Sequence, residues 1–129
     1  MDPIVQQKID KVKAARLPVF SLVMDGVTYI YRGINRREFR SIQSVMTGLA
    51  EEIRAKYTKK EDEAKMTTEL SLLKEKSEEE LVMLALISPE FANKADIESL
   101  PAGVVTRLAD LITSASGFVD EPDAKPTQL

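Results

Sequence analysis

Positions 32–40 hold four arginines, and they are the most concentrated source of potential chemistry in the chain: Arg32, Arg36, Arg37 and Arg40. A guanidinium group offers paired N–H donors that match a carboxylate or a phosphate. The chain as a whole carries a net charge of −3, so this cluster is a local exception to an acidic composition. Recognition of an anionic group is therefore one of the interpretations that the cluster raises.

Three interpretations of the arginine cluster remain open. The arginines can be solvated surface charges that pair with nearby acids such as Glu38, Glu51 or Glu52, which contributes little to stability. They can form a docking site at a helix start for a carboxylate-rich or phosphate-bearing partner. Nucleic acid is the third reading, and the absence of a recognisable nucleic-acid reading motif argues against it.

The residue types needed for common enzyme mechanisms are scarce. The chain has no histidine and no cysteine, which removes the usual general base, the thiolate nucleophile and the commonest transition-metal ligands. Thr113, Ser114 and Ser116 cluster, but no histidine is available to activate them. The runs of carboxylates lack the spacing of a calcium loop, and no phosphate loop, dinucleotide fingerprint or zinc spacing is present. We therefore expect a protein that is not an enzyme, with no catalytic, cofactor or metal site.

Composition favours one folded, soluble domain. The 129 residues are 43% hydrophobic and 30% charged, which is typical of a globular protein and not of a disordered one. The net negative charge argues against a nucleic acid partner. The N-terminal stretch is charged throughout, and no run is long enough to cross a bilayer. We expect a cytoplasmic protein with no membrane partner.

The strand pattern is clearest over residues 19–32, where two β-branched and aromatic runs flank Asp25 and Gly26. This dipeptide tolerates the positive φ angles of a tight turn, so the segment predicts an antiparallel hairpin. Alternate side chains of its second strand point to opposite faces, and both faces carry apolar residues. A lone hairpin is marginal in water, so helices must pack on it.

A long helix follows over residues 36–57. Asn35 and Glu38 have the spacing of a capping box, which marks the helix start directly beside the arginines. The apolar residues of this helix recur every three or four positions and predict a single stripe that faces either the core or a partner. The stripe would serve a dimer as readily as a core, so the oligomeric state stays open. Its members are Phe39, Ile42, Met46, Leu49, Ile53 and Tyr57.

The other helices are predicted over residues 3–15, 78–88 and 101–116. Ser77 and Glu80 suggest a second capping box that opens the helix at 78, and Pro89 ends it. Residues 58–76 are highly charged, and their pattern fits a helix, a solvated excursion or a segment that orders on binding.

The predicted fold class is α+β, with a small N-terminal antiparallel hairpin packed by three to five helices. Residues 1–119 would form a single domain. Residues 120–129 contain two prolines and few apolar side chains, so we expect a flexible tail there.

The order of these parts resembles the small tail-assembly chaperones, or baseplate-hub assembly chaperones, of contractile-tailed phages. The resemblance rests on two short patterns that together cover about half of the chain, and residues 57–76 lie outside it. In the first, a strand ends at an arginine and leads into R-x-E-aromatic. In the second, "AG" is followed by a spaced leucine and "SGF". The matching residues are Arg32, Arg37, Glu38 and Phe39, then Ala102, Gly103, Leu108, Ser116, Gly117 and Phe118.

The resemblance implies a non-enzymatic chaperone in the host cytoplasm. Its partner would be another phage tail protein, either the tape-measure protein or a baseplate hub component, which it would shield from premature association. Two alternatives remain. The protein can be a structural subunit of the tail, baseplate or connector that stays in the virion, or a small regulator directed at the host.

The expected partner-binding surface combines the two features of the long helix. The stripe residues Ile42, Met46, Leu49 and Ile53 would contact the client. The arginines Arg32, Arg36, Arg37 and Arg40 would orient it.

Overall fold

A computed structural model describes residues 1–118 and 125–129 of the chain. These described residues form five α-helices and four strands, with a 3-10 turn at Lys60–Asp62. In chain order they are α1 (Pro3–Ala14), β1 (Val19–Met24), β2 (Val27–Arg32), α2 (Arg36–Lys56), α3 (Glu63–Ala85), β3 (Leu86–Ser88), α4 (Lys94–Glu98), α5 (Ala102–Ala115) and β4 (Thr127–Gln128).

The hairpin of β1 and β2 is the centre of a four-stranded antiparallel sheet with the order β3-β2-β1-β4. Its turn places Asp25 at φ 51° and Gly26 at φ 76°, in the left-handed region that this dipeptide tolerates. The predicted hairpin and the α+β class are confirmed, and the sheet gains one short strand at each edge.

Helices cover both faces of the sheet because successive side chains of β2 point in opposite directions. Tyr29 and Tyr31 point into the larger core, which is closed mainly by α3 and α5. Ile30, between them, points into a smaller core with Ile9 of α1, where Ile87 of β3 also lies. All five of these side chains are buried.

The prediction of a helix over residues 78–88 is wrong at both ends. α3 begins at Glu63, so Ser77 and Glu80 lie inside the helix and do not cap it. The segment before them is rich in Glu, Lys, Leu and Met, which are strong helix formers, and this resolves the open reading of residues 58–76 in favour of helix over most of its length. The helix ends at Ala85, before the predicted position, because Leu86 and Ser88 pair with β2. Burial of Ile87 in the smaller core stabilises that pairing.

The expectation of a flexible tail over 120–129 is wrong for its last three residues, while residues 120–124 lie outside the described part. Thr127 and Gln128 pair with Ser21 and Phe20 of β1. The Leu129 N–H donates to the Val19 carbonyl at 2.8 Å, and the Leu129 side chain packs against the smaller core. The prolines of this segment favoured the prediction of a flexible tail. Pro126 lies just before the short edge strand, so it does not interrupt the strand's hydrogen bonds.

The remaining helix predictions are confirmed to within a residue or two. α1, α2 and α5 begin and end close to the expected positions. α4 was not predicted; Asn93 accepts from the Asp96 N–H at its N-terminus, in a capping box that was overlooked in a short polar stretch. Within residues 1–118 and 125–129, no helix combines the length and apolar character needed to span a bilayer.

Removing the last three residues should test the role of β4. Deletion of 127–129 uncovers the β1 edge and the smaller core, and we expect it to lower the free energy of unfolding by about 2 kcal/mol. Urea unfolding followed by circular dichroism measures the change. Gln128→Ala is the matched control, because this side chain is exposed and its loss leaves the backbone pairing in place. Equal midpoints for the deletion and the full chain would contradict a structural role for the strand.

Candidate functional site

The N-terminus of α2 is fixed by the predicted capping box. The Glu38 N–H donates to Asn35 Oδ1 at 2.9 Å, and the Asn35 N–H donates to Glu38 Oε1 at 3.1 Å. Two of the backbone N–H groups that a helix start leaves without partners are satisfied in this way. The helix therefore begins at Arg36, and the positions of the following arginines are set by that start.

Arg32 ties α2 to the rest of the molecule. Its Nη1 donates to Glu38 Oε1 at 2.9 Å and its Nη2 donates to Glu38 Oε2 at 2.7 Å, a two-pronged contact. The same guanidinium donates to the carbonyls of Gly33 at 3.0 Å and Leu84 at 3.4 Å. The Arg32 and Glu38 side chains are 14% and 22% exposed, so most of this contact is shielded from water. One side chain thus joins the end of β2, the first turn of α2 and the last turn of α3.

The contact also holds the pKa of Glu38 below its ordinary value of 4.5. Hydrogen bonding from Arg32 is the largest cause, and it outweighs the partial burial, which acts in the opposite direction. The Asn35 N–H and the positive charge of Arg32 lower the pKa further. Glu38 is therefore ionised at neutral pH, as the contact requires.

The other three arginines differ from Arg32. Arg36, Arg37 and Arg40 are exposed, and the ion pairs formed among the described residues include none of them. The proposed surface pairing is thus realised between Arg32 and Glu38 alone. Arg36 and Arg37 lie in the first turn of α2, where the helix dipole disfavours positive charge. Among the described residues, the acid in the first turn of α2 is Glu38, and it pairs with Arg32 and with none of these three arginines.

The stripe of α2 is incompletely covered. Its four predicted contact residues, Ile42, Met46, Leu49 and Ile53, are all half-buried, and none of the 21 residues of α2 is fully buried. The shorter α5, by contrast, buries Leu108 and Ile112 completely. α2 packs mainly against α3, and the two helices form an antiparallel arm held at its far end by the Lys56–Glu69 ion pair at 3.4 Å. A strongly amphipathic helix therefore leaves part of its apolar face accessible.

A groove of about 160 Å³ lies between α2, α3 and α5. The Phe39 and Phe118 rings, whose centroids are 4.3 Å apart, both belong to its lining. Gln43, Ser77 and Thr113 supply the polar part of the lining. The apolar residues of the lining are Ile34, Phe39, Ile42, Met46, Leu81 and Phe118.

The three exposed arginines lie outside the lining of this groove. At about 100° per residue, Arg40 is rotated by about 160° from Ile42 around the helix axis, so the two side chains leave α2 on nearly opposite sides. Arg37 lies about 60° from Arg40 and shares its side of the helix. The structure thus brings Ile42 and Met46 together in the groove, and it does not bring Arg37 or Arg40 to them.

The remaining predicted site residues lie elsewhere. Leu49 and Ile53 are further along the arm, outside the lining of the groove, and Arg32 is engaged beneath the start of α2. The sequence did not indicate the opposite wall, which comes from Leu81 of α3 and from Thr113 and Phe118 at the end of α5. Only the position of Phe118 directly after a helix-ending glycine hinted at a role, since such a residue often packs back on its own helix.

The end of α5 is held in place by a polar contact with the start of α2. Ser116 Oγ accepts from the Ile34 N–H at 2.8 Å and donates to the Ile112 carbonyl at 2.7 Å. Gly33 lies so close to the end of α5 that an added Cβ would come within 2.9 Å of the Ala115 carbonyl oxygen. The two walls of the groove are therefore fixed relative to each other.

The groove is lined mainly by apolar side chains and carries three polar side chains. In residues 1–118 and 125–129, no group of carboxylates is arranged to hold a metal ion. The groove lining offers an amide and two hydroxyls as its polar groups, without a titratable side chain to act as acid or base. Comparison with protein-family models, with curated protein sequences and with solved structures finds no match.

The Arg32 contact should be visible as a pH-dependent stability. Because the pKa of Glu38 is depressed in the folded state, the stabilisation is complete above the ordinary value of 4.5 and is lost as pH falls through the folded pKa. Arg32→Ala should lower the free energy of unfolding at pH 7 by about 2 kcal/mol, since it leaves a shielded carboxylate without its partner.

The measurement is urea unfolding from pH 7 down to pH 3, with Glu38→Gln as the companion variant. The difference between the natural protein and Glu38→Gln should be constant near neutral pH and shrink in the acid range. A difference that stays the same down to pH 3 would contradict the assigned contact.

Proposed function

We propose that the protein is a non-enzymatic binding protein that holds an apolar segment of another protein against α2 during assembly. The observation that carries this proposal is the state of the α2 stripe, which is half-buried along 21 residues and has no fully buried member. A helix with this pattern normally completes its burial against a neighbour. Here α3 covers part of the stripe, and Ile42 and Met46 still line a groove of about 160 Å³ between α2, α3 and α5.

Binding in a groove between helices is a common way to recognise an amphipathic helix. The partner supplies apolar side chains at helical spacing, and the groove removes them from water. Each buried aliphatic or aromatic side chain contributes roughly 1.5–3 kcal/mol in favour of the complex. Two or three such contacts are enough for a complex that forms and then dissociates, as a temporary shield requires.

The charge of the chain supports the same role. A net charge of −3 on a small protein favours the solubility of the protein and of its complexes while the apolar surface of the partner is bound. A protein that shields aggregation-prone surface benefits from this repulsion between complexes. The net negative charge is therefore consistent with a shielding role.

The resemblance to phage tail-assembly chaperones adds the class of partner. On that basis the client is a phage tail protein, either the tape-measure protein or a baseplate hub component, and the complex forms in the host cytoplasm. The resemblance is the reason for proposing that the binding serves tail assembly. The stripe would cover the client until the client meets its permanent neighbour in the growing tail.

The experiment that tests the assembly role is quantitative mass spectrometry of infected-cell lysate against purified particles. A chaperone should be abundant in the lysate and absent from particles. A fixed copy number per particle would instead identify a structural subunit of the tail, baseplate or connector, and would overturn the chaperone proposal.

A charge introduced into the stripe should abolish client capture. Met46→Glu places a carboxylate in the groove, and we expect at least a roughly tenfold loss of client recovered with the tagged protein from infected cells. Thr47→Glu is the matched control, since Thr47 is exposed and points away from the stripe. Circular dichroism should show that both variants are folded. Equal client recovery from the two variants would contradict a role for the stripe.

A further inference from the structure

We infer that copies of this protein associate head to tail, with the arginines at the start of α2 of one copy docking into an acidic groove beside α3 of the next copy. The inference goes beyond the proposed function, because it concerns contacts between copies of this chain and not contacts with the client. It rests on two surfaces of opposite charge that face away from each other on one molecule.

The acidic groove has a volume of about 220 Å³ and lies between α3, α4 and the start of α5. Part of its lining is apolar and comes from Ile97, Leu100, Ala102 and Val105. Its charged lining consists of Glu75, Glu78 and Glu79 of α3 and Glu98 of α4. Carboxylates and apolar side chains therefore face the same space.

The negative charge of this groove is incompletely compensated. The pKa of Glu79 is raised from its ordinary value of 4.5, first because burial disfavours the charged carboxylate. The charge of Glu98 raises this pKa further, and Glu75 and Glu78 add to the effect. Lys94 acts in the opposite direction without outweighing them. A cationic side chain that enters the groove relieves the repulsion between these carboxylates.

The arginines at the start of α2 supply the complementary charge. Arg36, Arg37 and Arg40 are exposed and form no ion pair among the residues that the structure describes. An arginine side chain has an apolar stem and a planar guanidinium head. The stem fits the apolar part of the acidic groove, and the head fits the carboxylates in paired hydrogen bonds.

The two surfaces point in opposite directions, so the contact needs a second copy. Glu75 and Glu79 are each two residues from Ser77, so each leaves α3 about 160° away from it. Arg40 leaves α2 about 160° away from Ile42. Because Ser77 and Ile42 line the same groove between α2, α3 and α5, the acids and the arginine lie on opposite outer sides of this helix pair. An interface between two different surfaces of one chain is heterologous and can repeat from copy to copy.

The first test is the mass of the full-length protein in solution, measured by sedimentation velocity over a range of concentrations at about 0.05 M and about 0.5 M salt. We expect the mean mass to rise with protein concentration at the lower salt. It should fall back toward the mass of a single copy at the higher salt, because salt screens contacts between exposed charges.

Paired variants then identify the two surfaces. The double change Arg37→Gln with Arg40→Gln removes the basic surface and keeps the acidic groove. The double change Glu75→Gln with Glu79→Gln does the reverse. Each variant alone should associate at least about tenfold more weakly than the natural protein. An equimolar mixture of the two should form a one-to-one pair that does not grow, because it contains one intact contact.

The matched control is Arg54→Gln with Lys59→Gln, which removes two exposed positive charges outside the basic surface and should change the association less than about twofold. Circular dichroism checks that every variant is folded.

Three outcomes would overturn the inference. One is a single copy at low salt up to about 1 mM protein. Another is an equal loss of association in the control and in the arginine variant. The third is a mixture of the two variants that forms no pair. None of these outcomes bears on client capture through Met46, so this inference and the proposed function can fail separately.

Discussion

The two-pronged contact between Arg32 and Glu38 decides which surface this protein shows to solvent. It fixes the first turn of α2 against the end of β2, and the donation from Arg32 to the Leu84 carbonyl brings α3 to the same point. The contact thereby joins the sheet to both of the helices, α2 and α3, that line the groove. Arg36 and Arg40 form no ion pair among the described residues, and Glu38, the acid nearest to them in sequence, is engaged by Arg32. A single shielded ion pair thus both organises the fold and leaves the neighbouring arginines available.

The fully buried side chains lie in the sheet and in the helices packed on it, here called the body, whereas α2 has no fully buried residue. The sheet is covered on both faces, and the larger core between the sheet, α3 and α5 contains the fully buried Leu108, Ile112 and Val82. α2 contributes partly buried side chains alone. Burial of apolar surface is the main source of stability, so most of the stability of the fold comes from the body. The arm can therefore expose an apolar stripe without endangering the fold, which is the arrangement that a binding protein needs.

Local signals predicted the parts of the fold that are determined locally. Asp25-Gly26 defined the hairpin, the Asn35 and Glu38 capping box defined the start of α2, and the apolar spacing defined its stripe. The start of α3 and the short α4 were local features that the sequence reading missed, whereas two other failures arose because long-range pairing overrode local preference. Leu86–Ser88 left the helix to pair with β2, and the last three residues paired with β1 despite nearby prolines. The site followed the same division: its α2 half was visible in the sequence, while the wall from Leu81, Thr113 and Phe118 depends on packing between distant segments.

The proposed function requires that the partner covers the α2 stripe at the groove. Hydrogen exchange measured by mass spectrometry on the protein alone and in complex with its client tests this claim most directly, because amide exchange reports local opening along each helix. The account predicts increased protection over residues 39–53 of α2 and over the end of α5, with exchange in the β1–β2 hairpin unchanged. Protection confined to the sheet edge or to α1, with α2 exchanging as it does in the free protein, would contradict it.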